Sequence, residues 1–184
     1  MAEFDELRKL YTVWQQRHRQ HEQDTAQLVL SLARGLTAYL EAPATYADMA
    51  TSGEKRYIEP VKAVRDKEGC ITFRDFKFFT DAVTQECDGY WISGICVTLD
   101  EGSNYFPKSR FTFLVRFALR GTKCEIYVGR EKDNRFDFDT ADAQSVIPIY
   151  EYMKNVLRDL LSLPPWGDNQ NSPIGFALPR SGSD

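Results

Sequence analysis

The chain has 184 residues, 42% apolar and 27% charged, with a formal net charge of −4 and a pI near 5.3. That balance describes one ordinary globular domain long enough to bury a core, and it excludes a disordered polyelectrolyte. The acidic surplus excludes a general attraction to nucleic acid or anionic membrane, so any such contact needs a local basic patch.

The opening residues, MAEFDELRKL, are acidic and amphipathic, without the basic and apolar regions of a signal peptide. The most apolar stretch, AQLVLSLARGLTAYLEA, carries Arg34 and is shorter than a bilayer span. The four cysteines, Cys70, Cys87, Cys96 and Cys124, show no CxxC spacing. These features together imply a cytoplasmic protein with reduced thiols, no membrane contact, no bound metal and no cofactor.

Residues 3–41 read as helix. Phe4, Leu7, Tyr11, Trp14, His18, His21, Thr25, Leu28, Leu32 and Tyr39 follow a three–four spacing over five heptads, with no proline before Pro43. Asp24 followed by Gln27 resembles a capping signal, so a pair of helices broken near Asp24 is an alternative. The stripe is apolar at both ends and polar in the middle, which suits packing on the chain's own sheet or on a partner. His18 and His21 sit on the seam. Three apart on one face they have a spacing that can ligate metal, but seam histidines more often serve packing.

Residues 42–53, APATYADMATSG, read as a linker-like loop. Residues 57–139 then read as an antiparallel sheet. YIEPVKAVRDKEGCITFRDF makes a hairpin with Gly69 in the left-handed position of its turn, and Pro60 marks its first strand as an edge. TQECDGYWISGICVTLD makes a second hairpin with Asp88-Gly89 as a two-residue loop. The stretch between them, residues 73–86, fits strand and helix equally.

RFTFLVRFALRGTKCEIYVGR, residues 110–130, alternates almost without error. Phe111, Phe113, Val115, Phe117 and Leu119 share one face; Arg110, Arg116 and Arg120 share the other. A tight turn at Gly121-Thr122 pairs Phe117 with Ile126, Val115 with Val128, Arg116 with Tyr127 and Ala118 with Glu125. In RFDFD, Phe136 and Phe138 face inward while Asp137 and Asp139 face outward.

Residues 145–163 form the last helix. Its stripe is Val146, Ile149, Tyr150, Met153, Leu157, Leu160 and Leu161, with Ser145 as N-cap and Pro148 tolerated in the first turn. Residues 164–184 follow as an extended tail with apolar anchors at Trp166 and Phe176. The expected fold is therefore a single α+β domain over residues 1–163. An antiparallel meander of five to seven strands is flanked by a long N-terminal helix and a C-terminal helix.

Two surfaces are candidates for function. Arg110, Arg116 and Arg120, with Lys123 and Tyr127 across the hairpin, can bind an anion or stack a single-stranded nucleic acid. The competing reading is a solvated face of cross-strand charge pairs. Leu7, Tyr11, Trp14, His18 and His21 on the first helix, with Trp166 and Phe176 in the tail, form candidate partner contacts. Asp137, Asp139 and Asp142 have carboxylate spacing that can hold a divalent ion, but acids ahead of a helix also offset its dipole. Asp75-Phe76-Lys77 matches a nuclease-like acid–lysine spacing that is too short to be specific. No G-x-S-x-G, P-loop, G-x-G-x-x-G or H-E-x-x-H is present. The sequence therefore points to a non-catalytic adaptor, inhibitor or chaperone-like module that self-associates or binds a protein. A ligand-binding or enzymatic domain using the arginine face, or a pocket between sheet and helices, is the alternative.

Overall fold

A computed structural model describes residues 2–48, 53–102, 108–129 and 134–163. The described residues form an α+β fold with two α-helices and a seven-stranded antiparallel sheet. Helix α1 (Ala2–Tyr39) leads to a small hairpin of β1 (Thr45–Asp48) and β2 (Gly53–Arg56). The main sheet follows: β3 (Ile58–Arg65), β4 (Ile71–Arg74), β5 (Thr84–Gln85), β6 (Trp91–Leu99), β7 (Ser109–Arg120), β8 (Lys123–Val128) and β9 (Arg135–Asp139). Helix α2 (Ile147–Ser162) closes the described chain.

α1 is one unbroken helix. Gln20 donates to the Asp24 carboxylate at 2.9 Å, one turn on, so Asp24 braces the helix surface instead of capping a new start. The 42–53 stretch is more than a loop. Tyr46 is buried and packs edge-on against Tyr57 with ring centroids 4.9 Å apart, which holds β1 against β2. The Lys108 ammonium sits 4.7 Å over the Tyr46 ring and pairs with Asp100, tying this hairpin to the end of the sheet. The short, mostly polar TYAD run hid that anchor from periodicity.

The sheet order is β4-β3-β6-β7-β8-β9, with β5 also on β6. β3 and β5 share one edge of β6. Ile58–Val61 pair with Gly94–Val97, and Thr84–Gln85 pair with Trp91–Ile92. β4 pairs only with Lys62–Arg65, so Pro60 stands where the other side of β3 is unpaired, as its missing N–H requires. Gly69 adopts φ +84° in the first hairpin turn. The second loop has the same form rather than two residues, because Glu86 N–H donates to Tyr90 O just as Asp66 N–H donates to Cys70 O. Residues 73–86 are neither a long strand nor an α-helix: a single 3₁₀ turn at Phe79–Ala82 joins β4 to β5.

The β7–β8 register is the one the alternation sets, with Phe117 opposite Ile126 and Arg116 opposite Tyr127. Phe113, Val115, Phe117, Trp91, Ile95 and Ile126 form the core face, covered by Leu28, Val29, Leu32 and Leu36 of α1 and by Ile149, Tyr150, Met153 and Leu157 of α2. The opposite face is partly covered too. Beyond Val61, β3 leaves β6, and Ile71 and Phe73 of β4 pack with Ala63 onto Ile92 and Leu114. Gly94 permits this, since a Cβ there would lie 2.8 Å from the Phe73 ring.

The start of α2 departs from expectation. Val146 is the cap residue, and no side chain caps it. The Ser145 hydroxyl instead donates to the Asp139 and Asp142 carbonyls and accepts from Asp139 N–H, bracing the β9–α2 corner. Leu161 is 58% exposed and stands outside the buried stripe.

Candidate interaction surfaces

α1 spans about 57 Å at 1.5 Å per residue. Its second half lies on the sheet, where Thr25 is its first buried residue. Its first half runs past the sheet. Phe4, Leu7, Leu10, Tyr11 and Trp14 are each 57–61% exposed. At about 100° per residue, Phe4, Leu7, Tyr11, Trp14 and His18 fall within an arc of roughly 80°. Thr25, Val29, Leu32 and Leu36 fall in the same arc and are buried. One stripe therefore runs the length of the helix, covered at its C-terminal end and open at its N-terminal end.

The changeover is aromatic. Tyr11, Trp14 and His18 stack in series, with centroids 6.0 and 5.3 Å apart. His18 then lies 6.2 Å from buried Trp91, and His21 meets the same indole edge-on at 5.8 Å. The two histidines thus pack against the rim of the core. The Trp91 Nε1–H has no hydrogen-bond partner among the described residues.

The exposed stripe is flanked by separated charges. Glu3, Asp5 and Glu6 crowd the first turns, with Arg8 and Lys9 following, and exposed Arg17 and Arg19 flank His18 at the other end. Arg8 turns back onto Asp5 at 3.6 Å and over the Phe4 ring at 4.6 Å.

The sheet arginines do not share one environment. Arg116 donates to Glu86 at 3.1 Å, pairs with Asp88, and lies 3.8 Å over the Tyr90 ring. Arg65 shares Glu86 at 2.7 Å. Tyr90 and Tyr127 both donate to Glu125, which also faces Arg135 at 3.6 Å. Those two hydroxyls hold the Glu125 carboxyl below its usual range, Tyr127 most strongly. Asp88 is held low by the Tyr90 backbone N–H and then by Arg116. Arg110 sits apart, with Glu59 at 3.0 Å, Asp75 at 3.5 Å and Cys96 Sγ at 3.3 Å. Burial raises Glu59 despite that arginine. Arg120 and Lys123 are exposed, without an ion pair among the described residues, and line a hollow of about 490 Å³ with Arg135 and the carboxylates of Glu125, Asp137 and Asp139.

Between α1 and α2 lies an open, mostly apolar groove of about 800 Å³, floored by Leu28, Leu32, Leu119 and Phe138. Tyr150 reaches across it into the notch at Gly35, where a Cβ would lie 2.0 Å from its hydroxyl oxygen. Burial pushes that phenol up to about 12. All four cysteines are free; Cys70 and Cys87 are exposed, and burial pushes the Cys124 thiol up to about 12.

Sequence reasoning did not name Glu86 and Asp88 as partners of Arg116. They come from the β5–β6 loop, which alternation within β7 cannot reveal. A pocket between sheet and helices is an expectation the sequence allows, but its lining needs the relative placement of two helices. Trp166 and Phe176 lie outside the described residues. No described helix is long and apolar enough to cross a membrane. No protein-family model, no curated protein and no solved structure matches the chain.

Proposed function

We propose that the protein is a non-catalytic interaction module that assembles through the first half of its N-terminal helix. The observation that carries this reading is the apolar stripe from Phe4 to Trp14, which continues the core stripe of the same helix but lies open. A stretch of about 20 residues without tertiary packing is a marginal helix in water. A patch combining Leu7, Tyr11 and Trp14 gains most when it is covered, and aromatic residues dominate the energetics of such contacts.

The test is a photo-crosslinking residue at Leu10, beside the stripe, introduced into the full chain in cells. The expected result is a discrete crosslinked species that is lost when Leu7→Ser and Trp14→Ser are added, with the unfolding midpoint unchanged. Absence of any crosslink at this position would sink the reading.

A second reading rests on Arg120 and Lys123, two neighbouring cations without ion pairs among the described residues, at the rim of the smaller hollow. They are suited to an anionic small ligand. Arg120→Ala with Lys123→Ala would then abolish retention of phosphate or a dicarboxylate, read by isothermal calorimetry, and equal heats in variant and parent would dismiss it.

A further inference from the structure

We infer that the partner of the exposed stripe is a second copy of this chain, with the two α1 helices paired antiparallel about a two-fold axis at Tyr11. The inference rests on the interaction-module reading and gives its partner.

Three observations select this arrangement. The first is charge. The acidic turn of Glu3, Asp5 and Glu6 and the basic pair Arg17 and Arg19 lie at opposite ends of the open segment, and all five are exposed. Parallel pairing sets acid against acid and base against base. Antiparallel pairing brings Glu3 beside Arg17 on one flank of the seam and Asp5 toward Arg19 on the other, each pair centred within one residue of Tyr11. It also opposes the two helix dipoles.

The second is shape. About a two-fold at Tyr11, Phe4 meets His18, Leu7 comes beside Trp14, and Tyr11 meets its own copy. Each large ring then faces a ring or a leucine, in the layered manner of facing helices. Arg8 borders the seam, level with Trp14 of the second copy and held over its own Phe4 ring beside Asp5.

The third is reach. The segment ahead of the first core contact, His18 against Trp91, runs from Glu3 to Arg17, and Tyr11 lies near its middle. The register at Tyr11 covers this segment in both copies at once. Each sheet then begins level with the other helix's first turn, at Trp91 beside His18 and His21, so contact between the two bodies is confined to that turn. An isologous contact of this kind closes at two copies and does not propagate into fibres.

The interface is small. With three aromatics and two leucines per copy it buries on the order of 1,000 Å² in all, near the lower bound for specific contacts. The dimer is therefore concentration-dependent, dissociating at roughly micromolar protein.

Sedimentation velocity of the full chain between about 1 and about 100 μM tests this. The expected result is a mass rising from 21.2 kDa toward twice that value. Trp14→Ser abolishes the rise. Glu3→Lys, Asp5→Lys and Glu6→Lys together raise the dissociation constant at least tenfold, and so do Arg17→Glu and Arg19→Glu together. Combining all five reversals restores the parent constant to within about threefold, because antiparallel partners exchange signs together. That rescue separates charge pairing from fraying of the reversed helix ends. A monomer throughout the range, or a dimer indifferent to both reversals, overturns the inference. If the chain stays monomeric while the Leu10 crosslinker captures a different polypeptide, self-pairing falls and the interaction module stands. If neither experiment finds a contact, both fall.

Discussion

The two halves of α1 carry the same pattern and meet opposite fates. From Thr25 to Leu36 the stripe is buried against β3, β6 and α2, and from Phe4 to Trp14 the same arc is open. Periodicity thus states what a helix needs to have covered. What covers it is decided by the extent of the sheet, whose strand β6 begins at Trp91, beside His18 and His21. The first half is left with an unmet requirement, and the assembly proposal follows from that difference.

The comparison breaks most visibly in stability. Leu36→Ala in the covered half empties a fully buried site and should cost about 2–5 kcal/mol, whereas Trp14→Ala in the open half should cost about 0.5 kcal/mol or less in dilute solution. Urea unfolding of the two variants at low concentration checks this, and equal losses would mean that the open half is packed intramolecularly. A smaller effect is expected at Gly35, also in the covered half. Gly35→Ala drives a methyl group into the Tyr150 ring and should cost about 1–3 kcal/mol, read as a lower thermal midpoint. An alanine at exposed Gln16 should leave that midpoint unchanged.

Arg116→Ala separates the sheet face from the helix. It removes contacts to Glu86 and Asp88 from a half-buried guanidinium and should cost about 1 kcal/mol while leaving self-association untouched. Loss of association would place the interface on the sheet. The smallest effect is on pH. Asp88, Asp100 and Glu125 have folded-state pKa values below their unfolded ones, Asp100 chiefly through Lys108. Their contribution is present above the unfolded carboxylate range and is lost as pH falls through the folded values, below about 4. Glu59, raised by burial, works the other way over the same range. The urea midpoint should therefore be lower near pH 3 than at pH 7, and an unchanged midpoint would contradict the network around Arg116.

Much of the fold was legible in the sequence because its signals are local. Alternation from Arg110 to Val128 set the β7–β8 register residue by residue, and Gly69 marked its turn. The α2 stripe was readable apart from Leu161. Elements stabilised by distant partners were not. Tyr46 needs Tyr57, Ser145 is taken by the β9–α2 corner, and the 3₁₀ turn at Phe79–Ala82 follows from where β3 leaves β6. The same holds for the sites. The stripe residues Leu7, Tyr11 and Trp14 were readable as apolar positions, but their exposure depends on the extent of the sheet. The arginines were readable as one face, but Glu86, Asp88 and Asp75 reach them from other hairpins.

Amide hydrogen exchange along α1, measured at two protein concentrations on either side of the dissociation constant, tests the central claim most directly. The account predicts that residues 4–18 exchange quickly when dilute and become protected when concentrated, while residues 25–39 remain protected at both. Protection of residues 4–18 that is the same at both concentrations, whether high or low, would contradict it.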